Sequence, residues 1–197
     1  MTLLPKENFN HPDLKEYQKR VDSEVALSEI KSYFQSIFTK QQDTLSGLNM
    51  QLHLLRDMDF SLLDPGQKTF LSGFWTKLKT LSQSAASGKM AVEDVFPDIS
   101  PFSDTDFSSF ITIKKDEFAL DIHTLDQVTD EEVFDTVDTE FRFLFASAER
   151  CISSSILVNE KEELFPLVEE LFLSELSLDF LSRFFEKWLQ NKGIFLQ

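Results

Sequence analysis

The side chains best placed to do chemistry are the carboxylates between residues 91 and 140. This stretch carries fifteen Asp and Glu against two lysines, Lys114 and Lys115, and so holds a net charge of −13 out of −15 for the whole chain. Six phenylalanines lie among these acids: Phe96, Phe102, Phe107, Phe110, Phe118 and Phe134. Concentrated negative charge steers a basic partner, and aromatic rings anchor one. The pattern therefore favours protein recognition over catalysis.

Two groups within this stretch resemble metal sites, and neither completes one. Asp104-Thr105-Asp106 begins like a calcium-binding loop, but Ser109 stands at the sixth position and Lys115 at the twelfth, where Gly and Glu are needed. Asp121 and His123, with Asp126 beyond them, are the nearest approach to a transition-metal site. A histidine among acids is more often solvated or ion-paired. We expect neither a metal nor a cofactor.

The sequence also lacks a recognisable nucleophile or phosphate-binding loop. Its five glycines are well separated, and no serine lies in a G-x-S-x-G setting. Cys151, the only cysteine, is expected to be a buried structural thiol, which fits a reducing compartment. Paired carboxylates for glycoside chemistry could be assembled only in three dimensions, so that alternative stays open. The expectation is a protein that is not an enzyme.

Net charge and hydropathy limit the classes of binding partner and the cellular location that we expect. A net charge of −15 repels nucleic-acid phosphates and anionic membrane surfaces. The first residues, MTLLPKENFNHPDL, lack the apolar core of a signal peptide, and no apolar run approaches the ~18 to 20 residues that span a bilayer. We expect a cytoplasmic protein without a membrane span, and secretion without a cleaved signal peptide stays open.

The first ninety residues predict an antiparallel helix pair. Apolar side chains recur at steps of three and four from residue 27 to residue 55, interrupted only by Gln41, which predicts one long helix that packs lengthwise. Residues 13 to 21 are expected to form a separate helical turn. Asp64 and Pro65 predict the start of a second helix, and Ser87-Gly88 its end.

The following residues predict a different kind of structure. Residues 92 to 107 contain Pro97 and Pro101 without a helical period, so we expect an irregular surface loop. Residues 110–113 and 118–122 are rich in β-branched and aromatic side chains and flank a polar turn at 114–117. They predict a two-stranded β-hairpin.

The last third of the chain predicts three more helices. Thr129 and Glu132 form a capping-box pattern that begins a helix from about residue 130 to 155. Two further helices are expected over residues 160–173 and 177–192, the last opened by Ser177 and closed by Gly193.

The predicted fold is mainly α, a single domain of residues 1–197 built as a bundle of five or six helices with one β-hairpin insertion. Its parts are a helix pair at 1–90, an acidic loop and hairpin at 91–128, and C-terminal helices at 129–197. The predicted function is a non-enzymatic cytosolic protein-binding module: an adaptor, an escort chaperone or a neutralising partner of a basic protein. The residues expected to contact that partner are Asp98, Phe102, Asp104, Asp106, Phe107, Phe110, Asp116, Glu117 and Asp121.

Three alternatives stay open at this point. The phenylalanines of residues 93–126 could all belong to the core, with the acids only solvating a surface. The chain could instead be an enzyme or a small-ligand receptor with an apolar pocket between its helices. It could also form a homodimer through the apolar face of residues 27–55. A pocket of several hundred Å³ with convergent polar groups would favour the ligand hypothesis, and an exposed apolar patch among Asp and Glu would favour the binding module.

Overall fold

The structure, a computed structural model, describes residues 12–99, 101 and 104–196, with side chains from residue 22 onward. These residues form five α-helices and no strand. The helices are α1 (Pro12–Arg56), α2 (Pro65–Val95), α3 (Thr105–His123), α4 (Asp130–Ile156) and α5 (Phe165–Asn191). Short 3₁₀ turns lie at Pro97–Ile99, Leu125–Gln127 and Lys161–Leu164. The mainly helical fold class is therefore confirmed.

The long N-terminal helix buries the face that its sequence predicts. From Ile30 to Leu55 the described apolar positions of that face are buried, and Gln41 is buried among them. This face packs against α2 and α4 of the same chain, so it already lies inside the protein. The separate turn predicted at residues 13–21 is wrong, because α1 runs without a break from Pro12.

The start of α2 is confirmed and its predicted end is wrong. Asp64 accepts the Gln67 backbone N–H at 2.7 Å, and the Gln67 side chain accepts the Asp64 N–H at 3.0 Å. Gly88 does not end the helix, which continues to Val95. A Cβ atom at Gly88 would collide with the side chain of Ile37 and lie 3.4 Å from that of Leu171. This glycine therefore allows α1 and α5 to approach α2.

Polar contacts show that α4 runs antiparallel to α1. At one end of the pair Arg56 lies 3.6 Å from Asp135, and at the other Lys31 donates to the backbone carbonyl of Val158 at 3.0 Å. Residue numbers rise along one helix as they fall along the other, which defines the antiparallel direction. The α1–α4 contact therefore extends along most of α4.

Helix α5 runs antiparallel to both α4 and α2. Ser177 donates to Glu140 at 2.7 Å and Ser147 donates to Glu170 at 2.6 Å, which fixes the α4–α5 register. Along α2, the Trp75 indole donates to the Ser182 carbonyl at 3.1 Å and Lys89 lies 2.9 Å from Glu175, so residue numbers rise along α2 as they fall along α5. Helices α1, α2, α4 and α5 thus form a four-helix bundle, and α3 is the long crossover from the end of α2 to the start of α4.

Buried polar residues divide the core of this bundle into two clusters. One cluster contains Leu45, Leu81, Leu144 and Leu178, and the other contains Phe38, Ala85, Ala148 and Phe172. On three helices a buried polar residue lies between them, and these residues are Gln41 on α1, Ser147 on α4, and Ser174 and Ser177 on α5. Two of these residues, Ser147 and Ser177, donate to carboxylates of the facing helix, and a slipped α4–α5 register would leave these buried hydroxyl groups without their partners.

The start of α4 is confirmed, and its first residues are fixed by α5. Thr129 accepts the Glu132 backbone N–H at 3.3 Å, while the Glu132 carboxylate accepts the Thr129 N–H at 2.7 Å. Asp130 accepts from the indole of Trp188 at 2.8 Å and from Lys192 at 2.7 Å. Partial burial raises the pKa of Asp130, but these two hydrogen bonds outweigh it and lower the pKa.

The prediction of two C-terminal helices is wrong in one respect. Residues 165 to 191 form the single helix α5, and the segment from residue 161 to 164 is a 3₁₀ turn. Ser177 lies inside α5 and spends its hydroxyl on Glu140, so it caps no helix. Gly193 ends the helix as predicted, with φ at +79°.

The predicted β-hairpin is also wrong. Residues 110–113 and 118–122 both belong to α3. In a helix Ile111 and Phe118 are seven residues apart and share one face, and both are buried. This burial outweighs the strand preference of the β-branched residues between them. The predicted irregular stretch at residues 92–107 is likewise partly ordered, as the end of α2, a 3₁₀ turn and the start of α3.

Candidate functional site

Helix α3 begins at a local capping signal. The Asp104 carboxylate accepts the backbone N–H groups of Asp106 at 2.8 Å and of Phe107 at 3.2 Å. These bonds satisfy two of the donors that a helix start leaves free, and the negative charge complements the helix dipole. Asp104 therefore has a structural role in the helix that carries the acidic segment.

The inner face of α3 attaches the helix to α5 through aromatic pairs. Phe107 meets Phe172 edge to face, with 6.0 Å between the ring centroids, and Phe118 stacks on Phe180 at 4.1 Å. Both contacts advance in the same direction along the two helices, so α3 is parallel to α5. Phe107, one of the predicted contact residues, and Phe118 thus pack at least partly inside the protein.

The outer face of α3 exposes three large apolar side chains. Phe110, Ile113 and Leu120 are 43%, 56% and 59% exposed. Their spacing of three and seven residues places them on one side of the helix, where Ile113 and Leu120 lie opposite Ile111 and Phe118. An exposed apolar row of this kind on one helix is a feature of binding surfaces.

Four carboxylates share the outer face with this apolar row. Asp106, Asp116, Glu117 and Asp121 are all exposed. Lys114 lies 3.6 Å from the Glu117 carboxylate and offsets part of the charge of the four acids. The pKa of Asp121 is raised, first by partial burial and then by the charge of Glu117 one turn earlier. We call Phe110, Ile113, Leu120 and these four acids the outer face of α3.

The predicted contact residues therefore divide into separate groups. Phe110, Asp106, Asp116, Glu117 and Asp121 lie together on the outer face, whereas Asp104 caps the helix and Phe107 packs inward. Asp98 lies before α3 and pairs with Lys161, and this hydrogen bond lowers the pKa of the aspartate. Phe102 lies outside the described residues.

Sequence reasoning missed Ile113 and Leu120 for a geometric reason. In a strand, side chains alternate, so Ile113 shares a face with Ile111 and opposes Phe110. In a helix, Ile113 joins Phe110 and opposes Ile111. The capping pattern at Asp104, followed by apolar residues at helical spacing, is the signal in the sequence that identifies this face.

A cavity of about 430 Å³ lies beneath α3, between that helix, α2 and α5. Its apolar wall contains Ile111, Phe118, Phe172 and Leu176. Its polar wall contains cations and acids from all three helices, namely Lys89, Lys115, Arg183, Glu175 and Asp179. The structure thus contains both an exposed apolar patch among acids and a pocket with convergent polar groups.

Other residues considered for chemistry are not arranged for it. Cys151 is buried, and burial together with the charge of Glu170 raises the pKa of its thiol to about 12, so the thiolate is not populated at neutral pH. No group of three His, Cys, Asp or Glu in the described ranges could hold a metal ion.

None of the helices seen between residues 12 and 196 has the length and apolar character needed to cross a bilayer.

Comparison of the chain with protein-family models, with curated proteins and with solved structures gave no match.

Proposed function

We propose that the protein is a non-enzymatic, cytoplasmic binding module whose outer face of α3 binds a basic protein. The observation that supports this proposal most strongly is that Phe110, Ile113 and Leu120 are exposed on the same side of one helix as four carboxylates. The bound surface would offer Lys or Arg to the acids and apolar side chains to the row between them.

The two kinds of side chain support different steps of binding. The acids lie on the most negative part of the chain, and their field speeds the approach of a positively charged protein. The apolar row provides the apolar surface that is removed from water when the complex forms. The pKa of Asp121 is raised first by partial burial and then by the charge of Glu117, and a cation brought to these two carboxylates would offset their repulsion.

The fold also supports docking at this helix. The four-helix bundle is held by α1, α2, α4 and α5, while α3 contributes few residues to the two core clusters. Changes to its outer face should therefore leave the bundle intact. An adaptor, an escort chaperone or a neutralising partner would all use such a face, and the identity of the bound protein decides between them.

Affinity capture from the native cell tests the proposal with three variants of the chain. The charge variant carries Asp106→Asn, Asp116→Asn, Glu117→Gln and Asp121→Asn. The apolar variant carries Phe110→Ser, Ile113→Ser and Leu120→Ser. The matched control carries Asp43→Asn, Asp57→Asn, Glu131→Gln and Glu149→Gln, four exposed acids outside α3. Far-UV circular dichroism confirms that each variant is folded.

The expected result is one basic protein captured by the wild type and by the control, and lost with either α3 variant. Its capture should weaken as salt rises, because attraction between exposed charges is screened over ~8 to 10 Å near physiological ionic strength. Removing four exposed ion pairs should weaken binding about tenfold or more. Equal capture by the wild type and both α3 variants would refute the proposal.

A further inference from the structure

The cavity beneath α3 differs in charge from the outer face of the same helix. Three cationic side chains reach it from three helices: Lys89 from α2, Lys115 from α3 and Arg183 from α5. Its two acids, Glu175 and Asp179, both come from α5. The lining therefore has a net charge of +1 in a chain whose net charge is −15.

Two of the three cations are already compensated within the protein. Lys89 lies 2.9 Å from Glu175, and its ammonium sits 4.3 Å from the centroid of the Phe172 ring. Arg183 lies 2.8 Å from Asp179. Each acid of the cavity thus has its own cation, and the positive charge that is left over belongs to Lys115.

Lys115 has no ion pair or hydrogen bond within the described residues. The residues one turn away on α3 are Ile111 and Ala119, so the helix offers it no acid at the spacing that forms pairs. Its neighbour Lys114 differs, since it lies 3.6 Å from Glu117 and does not line the cavity. Lys115 is therefore a cation at the mouth of a partly apolar cavity without a counter-charge.

We propose that this cavity binds a small amphipathic anion, with one negative group at Lys115 and an apolar body against Ile111, Phe118, Phe172 and Leu176. A volume of about 430 Å³ lies in the range of small-molecule sites. The ion pairs of Lys89 and Arg183 provide further N–H donors in the lining of the cavity. This site is separate from the outer face of α3 and goes beyond the proposed function.

Two fluorescent probes of nearly equal shape test the charge requirement. The anionic probe is 8-anilinonaphthalene-1-sulfonate, and its neutral counterpart, N-phenyl-1-naphthylamine, lacks the sulfonate. Both are titrated against the full chain, and dodecanoate is used to displace the anionic probe. The matched variants are Lys115→Glu and Lys114→Glu, which change the net charge equally. Lys115 lines the cavity, whereas Lys114 does not and lies instead 3.6 Å from Glu117 and 5.6 Å from the centroid of the Phe118 ring.

The proposal predicts binding of one anionic probe per chain, weakened about tenfold by Lys115→Glu and less than twofold by Lys114→Glu. Binding of the neutral probe should be the same in both variants. Ala119→Trp, which fills the cavity from α3, should abolish binding of both probes. If Lys115→Glu does not fold, Lys115→Gln should weaken the anionic probe about two- to fivefold, as expected for one exposed ion pair.

Several results would overturn the proposal. These are no binding of the anionic probe at millimolar concentration, equal losses in the two lysine variants, or unchanged binding after Ala119→Trp. Loss of the anionic probe in the variant with Phe110, Ile113 and Leu120 changed to Ser would place the dye on the outer face of α3 and would also refute the cavity site. Retained binding in that variant supports it, whatever the outcome of partner capture.

Discussion

At the scale of single residues, the acids of the chain separate into those that stabilise it and those that do not. Asp64, Asp104 and Asp130 each accept hydrogen bonds that hold a helix start. Asp116 and Asp121 accept none among the described residues, and they lie on the outer face of α3. Carboxylates without a structural partner are the ones we expect a binding partner to use.

Asp121→Asn should raise the melting temperature by about 1 °C at pH 7, as expected for removing a like-charge pair one turn apart. The pKa of Asp121 is raised in the folded protein from its ordinary value of 3.8, so its ionised form costs stability. This cost is absent below pH 3.8 and grows as the pH rises through the raised pKa. Thermal unfolding at pH 7 and pH 3 measures this cost, and an equal gain in melting temperature at both pH values would show that it does not come from the ionised carboxylate.

Substitutions at Asp104 should separate its capping role from its charge. Asp104→Asn keeps a good cap and should change stability by less than about 0.5 kcal/mol, whereas Asp104→Ala should cost about 1 kcal/mol. Urea denaturation of the two variants provides the comparison. Equal losses would mean that the charge, rather than the hydrogen bonds to Asp106 and Phe107, stabilises the start of α3.

At the scale of helices, a complete capping box predicts a helix start, whereas a single residue of a boundary type does not predict a boundary. Asp64 and Thr129 both begin helices as predicted, because a capping box is complete within four residues. Gly88 and Ser177 resemble boundary residues, but contacts with other helices place both inside helices. Such contacts join residues far apart in the sequence, so no local pattern contains them.

The residues of the candidate site could likewise be predicted only in part from the sequence. Its acids could be predicted from composition, since charge is visible in the sequence. Its apolar row could not, because Ile113 joins Phe110 only once residues 110–122 are helical, and that depends on Ile111 and Phe118 being buried. The cavity could not be predicted from the sequence either, since Lys89, Lys115 and Arg183 come together only through the packing of three helices.

The close approach of α2 to its neighbours can be tested with a matched pair of glycines. Gly88→Val should destabilise the protein by about 2 to 3 kcal/mol, because the added atoms meet Ile37 and Leu171. Gly47→Val should be nearly neutral, since a Cβ there meets nothing within 4 Å. Chemical denaturation measures both. Similar stabilities for the two variants would mean that Gly88 is not needed for helix packing.

At the scale of the whole molecule, the acidic crossover lies beside a bundle that the rest of the chain builds. The apolar face of residues 27–55 is buried between α2 and α4, so it is not left open to a second copy. The exposed apolar row on α3 lies instead in the part of the chain with the highest negative charge. This division gives the bundle the role of a scaffold and α3 that of the binding element.

Site-specific photocrosslinking in the native cell tests whether the outer face of α3 contacts a basic protein. A benzophenone side chain at Ile113 would lie on the outer face of α3, and one at Leu54, which is also exposed, would lie on α1 as the control. This interaction predicts a crosslink from Ile113 to a single basic protein, absent from Leu54 and lost when Asp106, Asp116, Glu117 and Asp121 are changed to amides. The same crosslinks from both positions, or a partner without a basic surface, would contradict it.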